Sequence, residues 1–528
     1  MCGIFALFNN RNDIGLLKSY CNKAQWRGPD STNFYKGNNY FLGFHRLAIN
    51  GLDQISNQPF SINNKILICN GEIYNYKKLA KSLNIQLKTN SDCEIIIYLY
   101  EKYGIEYTLN LLDGVFAFIL IDNERNEGYA CRDPYGVRPM FISYEDNGEI
   151  GFSSEMKQLV DLELSELKQV HPGCYYKLNL DNEWELSSLN RYNSFNLTTI
   201  SSEFNEENIL ENIRGYFIEA VKKRVETTDR PIACLLSGGL DSSIVAALVS
   251  KFYKGQLETY SIGLEGSEDL KYARIVAEAI NSKHTEVIFT EEDFLKSIEE
   301  VIKSIESYDT TTVRASVGNL LIAEYIKENS DAKVIFNGDG SDELMGGYLY
   351  MNKAPNSIEF DRECKNLLRN IHFFDVLRSD RSISTRGLEP RTPFLDRNFV
   401  NYYLSIPCEV RYSSNQYIEK FLFRKAFTEF LPDDIIWRKK EAFSDGVSKQ
   451  TRSWYEIIQE YVEKQHIEKK NYKDNNPETT EQNYYRMIFE KYYKNKGNII
   501  PYFWMPKYID AKDPSARSLS IYNNSSPS

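Results

Sequence analysis

The hydrophobic rhythm of this chain changes once, near residue 208, and that change limits what each part can fold into. Before it, short apolar runs recur at Gly3–Phe8, Tyr40–Ile49, Lys65–Cys69, Gly114–Ile121, Gly128–Arg132, Met140–Tyr144 and Glu149–Phe152. Turn signals such as Asp133-Pro134, Asp146-Asn147-Gly148 and His171-Pro172-Gly173 punctuate them. Short runs with few helical stretches between them predict layered antiparallel sheets flanked by helices. After residue 208, apolar runs alternate with helical periodicity. Strand-like Ile232–Leu236, Thr259–Gly263, Val287–Phe289 and Lys333–Phe336 are separated by helical Ile244–Val249, Leu270–Ile280, Asp293–Ile305 and Val317–Lys327. This pattern predicts a doubly wound parallel sheet, an α/β arrangement beside the α+β first part. Beyond Phe360 the periodicity is helical without strand rhythm. The expected organisation is a domain over residues 2–185, a polar linker over 186–207, a second domain over 208–510 and a disordered Ser/Asn/Pro-rich tail over 511–528.

Several function classes are set aside by composition. A formal net charge of −11 with no long basic run argues against nucleic acid as a general partner. No apolar run approaches the ~20 residues of a membrane span, and the start lacks the basic and cleavage regions of a signal peptide. Nine scattered cysteines without a CxxC pair argue against a disulfide framework or zinc site, and for a reducing, cytoplasmic setting. The sequence fixes no oligomeric state and is compatible with a homodimer.

Cys2 stands behind the initiator Met and before Gly3. Loss of Met1 would give it a free α-amine of ordinary pKa about 7.7–8.0, able to take the thiol proton, so that one residue supplies nucleophile and base. On position alone a small buried cysteine is the commoner explanation. Three neighbours in sequence change that balance. Arg46 could pair its fork with an α-carboxylate, Asp92 could bind an α-ammonium, and Asn70-Gly71-Glu72 could offer a side-chain amide and a backbone N–H to an oxyanion. Singly, these are also a surface ion pair and a hairpin turn.

A second constellation follows the chain's change of rhythm. Ser237-Gly238-Gly239-Leu240-Asp241-Ser242-Ser243 joins a buried strand to a helix, with glycines for close approach and hydroxyls and amides for phosphate. It is not a Walker A loop, and by itself it also fits a capped strand–helix turn. Glu306-Ser307-Tyr308-Asp309-Thr310-Thr311-Thr312-Val313-Arg314 combines hydroxyls with a guanidinium, and Gly338–Glu343 follows a strand's carboxyl end, where open α/β sheets bind ligands. Trp437–Glu441 with Phe443–Gly446 adds a basic cluster. An N-cap cluster, an acidic turn and a basic helix end are the plainer readings of these segments.

Taken in order, the motifs carry a resemblance. CGIF, RGPD at Arg27–Asp30, HRLAI, NGEIYN at Asn70–Asn75, SDCE, RDPYGVRP at Arg132–Pro139 and SSEMK at Ser153–Lys157 resemble a class II glutamine amidotransferase domain of the N-terminal nucleophile type, over residues 2–185. That resemblance implies that Cys2 attacks the glutamine amide, with Arg46, Ile49, Asn70, Gly71, Glu72 and Asp92 binding glutamine. SGGLDS resembles the pyrophosphate loop of ATP pyrophosphatases. It implies that Ser237, Gly238, Gly239, Asp241, Ser242, Leu236, Ile262, Asn337 and Gly338 meet the nucleotide, with Asp241 near a metal–pyrophosphate.

ESYDTTTVRAS, GDGSDE, GGYLY, TRGLEPRTPFLD at Thr385–Asp396 and RKKEAFSDGV at Arg438–Val447 extend the likeness to the asparagine synthetase family, over about residues 2–450. By that resemblance Asp339 serves adenylation, Asp342 is a second acidic member, and Lys440 is the essential cation. Thr311, Thr312 and Arg314 would surround pyrophosphate or aspartate. The co-substrates implied are glutamine, aspartate and ATP with Mg2+, and no tightly bound organic cofactor. Asp339 stands where one branch has Glu, and Asn337 where it has Ser. Acceptor choice stays open to another carboxylate. A non-catalytic descendant would be expected to lack Cys2, Asp241 or Lys440, and a cyclising relative would lack Cys2. A dry passage for ammonia between the domains is also expected, with Val115–Ile121 and Met156 as candidate walls or, more simply, core.

Overall fold

The computed structural model describes residues 1–145, 148–195, 204–412 and 418–522. They form two compact units. The first comprises Met1–Ser194 with two later segments, Thr227–Arg230 and Ile383–Glu389, and the second holds the rest of the described chain. The Asp146-Asn147 turn, residues 196–203 of the expected linker and 523–528 of the expected tail lie outside the described residues.

The described residues of the first unit form twelve strands: β1 (Gly3–Phe8), β2 (Ser31–Gly37), β3 (Tyr40–Arg46), β4 (Phe60–Ile62), β5 (Lys65–Ile73), β6 (Gly114–Asp122), β7 (Glu127–Arg132), β8 (Phe141–Tyr144), β9 (Ile150–Ser153), β10 (Glu166–Gln169), β11 (Cys174–Leu180) and β12 (Trp184–Arg191). They build two antiparallel six-stranded sheets, ordered β10-β8-β9-β1-β3-β2 and β12-β11-β7-β6-β5-β4. The alternation along β6 explains the layering. Ala117, Ile119 and Ile121 join Ile4, Ala6 and Phe8 of β1 in the core between the sheets. Phe116, Phe118 and Leu120 join Ile95, Ile96 and Leu99 of helix Ile95–Leu111 on the opposite face. The Val115–Ile121 run thus fills two cores. Trp184–Arg191, which includes residues read as linker, is instead an edge strand paired with β11. Only its Trp184 is buried, so no apolar alternation marks it.

In the second unit, β13 (Ile232–Leu235), β14 (Glu258–Leu264), β15 (Lys283–Phe289), β16 (Val334–Phe336) and β17 (Glu389–Arg391) form one sheet, ordered β15-β14-β13-β16-β17. The β13–β14, β14–β15 and β13–β16 pairs are parallel. The chain winds outward from β13 to β15 and then returns to the other side of β13. The carboxyl ends of β13 and β16 therefore flank a topological switch point, where such sheets hold ligands. Helix Glu291–Ile305 illustrates the sequence logic. Thr290 and Asp293 form its capping box, and Phe294, Ile298, Val301, Ile302 and Ile305 make one buried stripe. Two expectations need correction. A strand, β17, does occur beyond Phe360, but its three residues are too few to show a rhythm. Residues 511–522, expected to be disordered, are packed: Ser515 and Leu519 are buried and Ala516–Ser518 form a helical turn. Polar side chains supply this anchoring, which composition conceals. No helix among the described residues is long and apolar enough to cross a membrane.

Two candidate active sites

In the first unit, Cys2 leads into β1 and is held from three sides. Its backbone N–H donates to Asn70 Oδ1 on β5 at 3.0 Å. Its carbonyl accepts from Arg27 Nε at 3.0 Å. Its thiol lies 3.7 Å from the Leu47 carbonyl beyond β3. Arg27 is fully buried and also donates to Glu155 Oε1 at 3.0 Å and Ser384 Oγ at 2.9 Å. The RGPD arginine is thus a positioning residue for the cysteine, a role that its sequence context did not reveal. The Met1 amine lies 3.5 Å from Glu389, which also faces Arg138 at 3.4 Å. Burial pushes the Cys2 thiol up to about 11. The neighbouring histidine is no base for it, since His45 uses its ring nitrogens on Cys21 O and Thr32 Oγ1.

The predicted glutamine residues gather at the same end of these strands. Asn70 Nδ2 is buried and has no hydrogen-bond partner, leaving a donor beside the nucleophile. Arg46 is 6 % exposed, and its terminal nitrogens donate to Asp53 O at 2.8 Å, Asn57 Oδ1 at 2.6 Å and the Gly51 carbonyl. It has no carboxylate within ion-pair distance among the described residues, although Asp53 and Asp30 act on it from farther away. Burial lowers its pKa. Asp92 accepts from Ile73 N at 2.6 Å, and Glu72 accepts from Asn50 Nδ2 at 2.5 Å. Ile49 is buried and its carbonyl accepts from Asp229 N at 2.9 Å, a packing role. Gly71 pairs with Phe116 across β5 and β6.

In the second unit, a pocket opens at the switch point. Of the predicted residues it is lined by Leu236, Ser237, Gly239, Asp241, Ser242, Ile262, Thr311, Asn337, Gly338, Asp339, Asp342 and Lys440. Gly238 lies behind the lining. Its φ is +69°, and a Cβ there would come within 2.4 Å of Ala273 N, so the turn after β13 requires glycine. Helix Leu240–Phe252 begins at Gly239 with no side-chain cap, so its first amides face the pocket unclaimed by a cap.

Lys440, which the sequence singled out, is joined in the pocket by a second lysine, Lys420, against the same carboxylates. Lys440 Nζ lies 2.7 Å from Asp342 Oδ2 and 3.6 Å from Asp241 Oδ2. Lys420 Nζ lies 2.7 Å from Asp241 Oδ2, 2.7 Å from Ser341 Oγ and 2.5 Å from Asp342 Oδ1. Gly347 makes that approach possible, since a Cβ there would sit 2.1 Å from both Lys420 Cε and Asp342 Oδ1. Burial opposes the charges of Asp342 and Lys440. The two lysines nevertheless hold Asp342 well below the usual carboxylate range, and Asp342 with Asp241 holds Lys440 above its ordinary value. Asp339 is fixed by Asn337 Nδ2 at 2.8 Å and by Arg378 Nη2 at 2.9 Å, the latter also meeting Asp375 at 2.7 Å. Arg438 stacks 3.9 Å from the Tyr272 ring centre and reaches Asp269 at 2.8 Å.

Two of the expected residues are not among the lining of this pocket, although Arg314 lines a second pocket that shares Thr311, Tyr348, Ala442 and Ser444 with it. Arg314 does not line the first pocket, because its guanidinium is bound at 2.6–2.8 Å by Glu481 and Asp513. Those carboxylates lie 167 and 199 residues along the chain, beyond the reach of a local motif. Thr312 turns its hydroxyl to Asp309 at 2.8 Å, within its own helix cap. Thr311 does line the pocket, with a buried hydroxyl lacking a partner. Arg378 went unrecognised within helix Asp375–Ser384, and Lys420 in the turn before helix Phe421–Ala426, because neither stands in a glycine-rich or acidic motif. Arg438 stood inside a quoted motif without a role.

A nucleophile-bearing antiparallel unit and a pocket at the switch point of a parallel sheet, both in one chain, are the two parts expected of a glutamine amidotransferase combined with a synthetase. The family pattern described as "Glutamine amidotransferase domain" matches residues 1–182, and that described as "Asparagine synthase" matches residues 212–364 and 353–495. Curated relatives named "Asparagine synthetase [glutamine-hydrolyzing]" include those of Gallus gallus and Homo sapiens, each 43% identical over 561 residues, covering 99% of this chain and 99% of the relative. The Mus musculus relative is 42% identical over 561 residues at the same coverage. The chain belongs to the glutamine-hydrolysing asparagine synthetase family.

Proposed function

We propose that this chain hydrolyses glutamine to glutamate and ammonia at Cys2, activates aspartate with ATP as β-aspartyl-AMP releasing pyrophosphate, and joins the two halves of the reaction to give asparagine. The observation that carries this reading is the likeness to enzymes of that name over 99% of this chain and 99% of theirs.

At the first site, loss of Met1 would turn the Cys2 amide nitrogen into an amine that Asn70 Oδ1 still accepts from. The amine would take the thiol proton, the thiolate would attack the amide carbon, and Asn70 Nδ2 would donate to the developing oxyanion. Arg46 supports the substrate carboxylate and Asp92 the ammonium. At the second site Lys420, Lys440, Ser237, Ser242 and the uncapped amides after Gly239 support the phosphates. Asp339, steadied by Arg378, stands by the reacting carboxyl. Arg314, paired with Glu481 and Asp513, holds the fold of this region.

No cluster of three metal-binding side chains occurs among the described residues. Asp241 Oδ1 is buried without a hydrogen-bond partner, which fits it as the protein ligand of a Mg2+ ion arriving with the phosphates. Such an ion would offset pyrophosphate's charge. Nine free cysteines support a cytoplasmic location.

Counting asparagine, glutamate, AMP and pyrophosphate from purified protein with glutamine, aspartate and Mg-ATP tests the reading. A 1:1 ratio of asparagine to AMP is expected. Pyrophosphate release that responds to some other carboxylate and ignores aspartate would replace it with a different acceptor. For the oxyanion role, Asn70→Asp retains the acceptor facing the Cys2 nitrogen but loses the Nδ2 donor. We predict that glutaminase kcat falls about 10²-fold or more in this variant. An unchanged kcat would remove Asn70 from that role.

A further inference from the structure

Lys440 projects into the ATP pocket from a stretch with little structure of its own. Residues 438–442 lie in neither helix nor strand. Yet an ammonium that must meet phosphate oxygens has to be held to a fraction of an ångström. The chain's last described residues supply what the stretch lacks.

Asp513 is fixed by Arg314 at 2.7 and 2.8 Å and by Gln459 at 3.0 Å. From that anchor the segment runs along the Lys440 loop. Ser515 Oγ donates to Asp445 Oδ1 at 2.7 Å. Arg517 Nε donates to Glu441 Oε2 at 3.3 Å, and its Nη1 donates to Lys449 O at 2.9 Å. The Tyr522 hydroxyl donates to Glu441 Oε1, while the Tyr522 carbonyl accepts from Lys439, whose Nζ lies 4.0 Å from the Tyr522 ring centre. Both oxygens of Glu441 are therefore bound by this segment, and the residues on either side of Lys440 are gripped by it. Arg517 and Glu441 have side chains only 6 % and 9 % exposed, so their pair is little screened by water.

We propose that Asp513–Tyr522 is a strap that positions Lys440 for phosphate binding, with Arg517 and Tyr522 as positioning residues acting through Glu441. This rests on the adenylating function proposed above. Aspartate-dependent ATP–pyrophosphate exchange by the full-length protein is the assay. Arg517→Ala is expected to raise KM for both ATP and pyrophosphate about tenfold, and Arg517→Lys to restore part of the loss by keeping a cation opposite Glu441. Glu441→Gln should add little to Arg517→Ala, because the two share one interaction. Glutaminase activity should stay at the wild-type level in Arg517→Ala.

The KM readout separates positioning from simple damage. A smaller folded fraction lowers kcat and leaves KM unchanged. KM values within about twofold of wild type, or glutaminase falling in step with exchange, would overturn the strap. Should Arg517→Ala fail to fold, Tyr522→Phe decides the matter by deleting one hydroxyl. A rise in KM for ATP of about threefold is expected, and no rise overturns the proposal. Wild-type protein with no aspartate-dependent exchange would fail the parent reading, whereas active wild type with unaltered variants fails the strap alone.

Discussion

Replacing Cys2 by Ala is expected to lower glutamine-dependent asparagine formation by at least about 10⁴-fold, with formation from ammonium retained. The neighbouring histidine and the cysteine against it are not placed to take over. His45 is bound at both ring nitrogens by Thr32 and Cys21, and the buried Cys21 lies against that same histidine. The substitution removes one sulfur from a residue whose backbone bonds to Asn70 and Arg27 do not depend on it, so the fold should persist. Ammonium supplies ammonia without the thioester, which is why the second activity survives. Parallel assays with glutamine and with ammonium chloride measure both. Loss of the two activities together in folded protein would contradict separate sites.

The second large effect is expected at Lys420, which the sequence did not single out. Its side chain is 1 % exposed and bridges Asp241 and Asp342. Lys420→Met keeps much of the side-chain volume but deletes the charge. Two carboxylates would then share Lys440 alone, and breaking a buried pair in this way costs about 3–5 kcal/mol. The same deletion removes one of the two ammoniums available to phosphate. Aspartate-dependent pyrophosphate exchange should fall about 10³-fold with either nitrogen source, and glutaminase activity should remain. Exchange within about tenfold of wild type would mean that Lys440 suffices and that Lys420 only balances charge.

The sequence was informative where residues act through local pattern. All seven strand runs read in the first unit appear as strands, because each lies inside a sheet and carries its own apolar signal. The strands that escaped notice are mainly edges: β10 and β2 close one sheet, and β12 and β4 the other. An edge strand facing solvent need not alternate, as the largely exposed Trp184–Arg191 illustrates. The glycine-rich loop and the acidic turn after β16 were legible for a similar reason, since tight turns demand particular residues. Long-range charge pairing was not legible. Arg314 was expected to surround pyrophosphate or aspartate, and its pairing with Glu481 and Asp513 was invisible; Lys420 drew no attention, since its partners Asp241 and Asp342 lie far from it along the chain.

The composition of the first unit also constrains how the molecule can be made and dissected. Ser384 accepts from the arginine that holds the Cys2 carbonyl, and Glu389 faces the amine of Met1. Residues made near the start of synthesis therefore wait for partners made almost four hundred residues later. A single cut in the linker would yield a first fragment without Thr227–Arg230 and Ile383–Glu389, leaving Arg27 and Arg138 short of those partners. The first unit is thus assembled from three stretches of chain that no single cut separates, and an excised glutaminase would need the later segments grafted back.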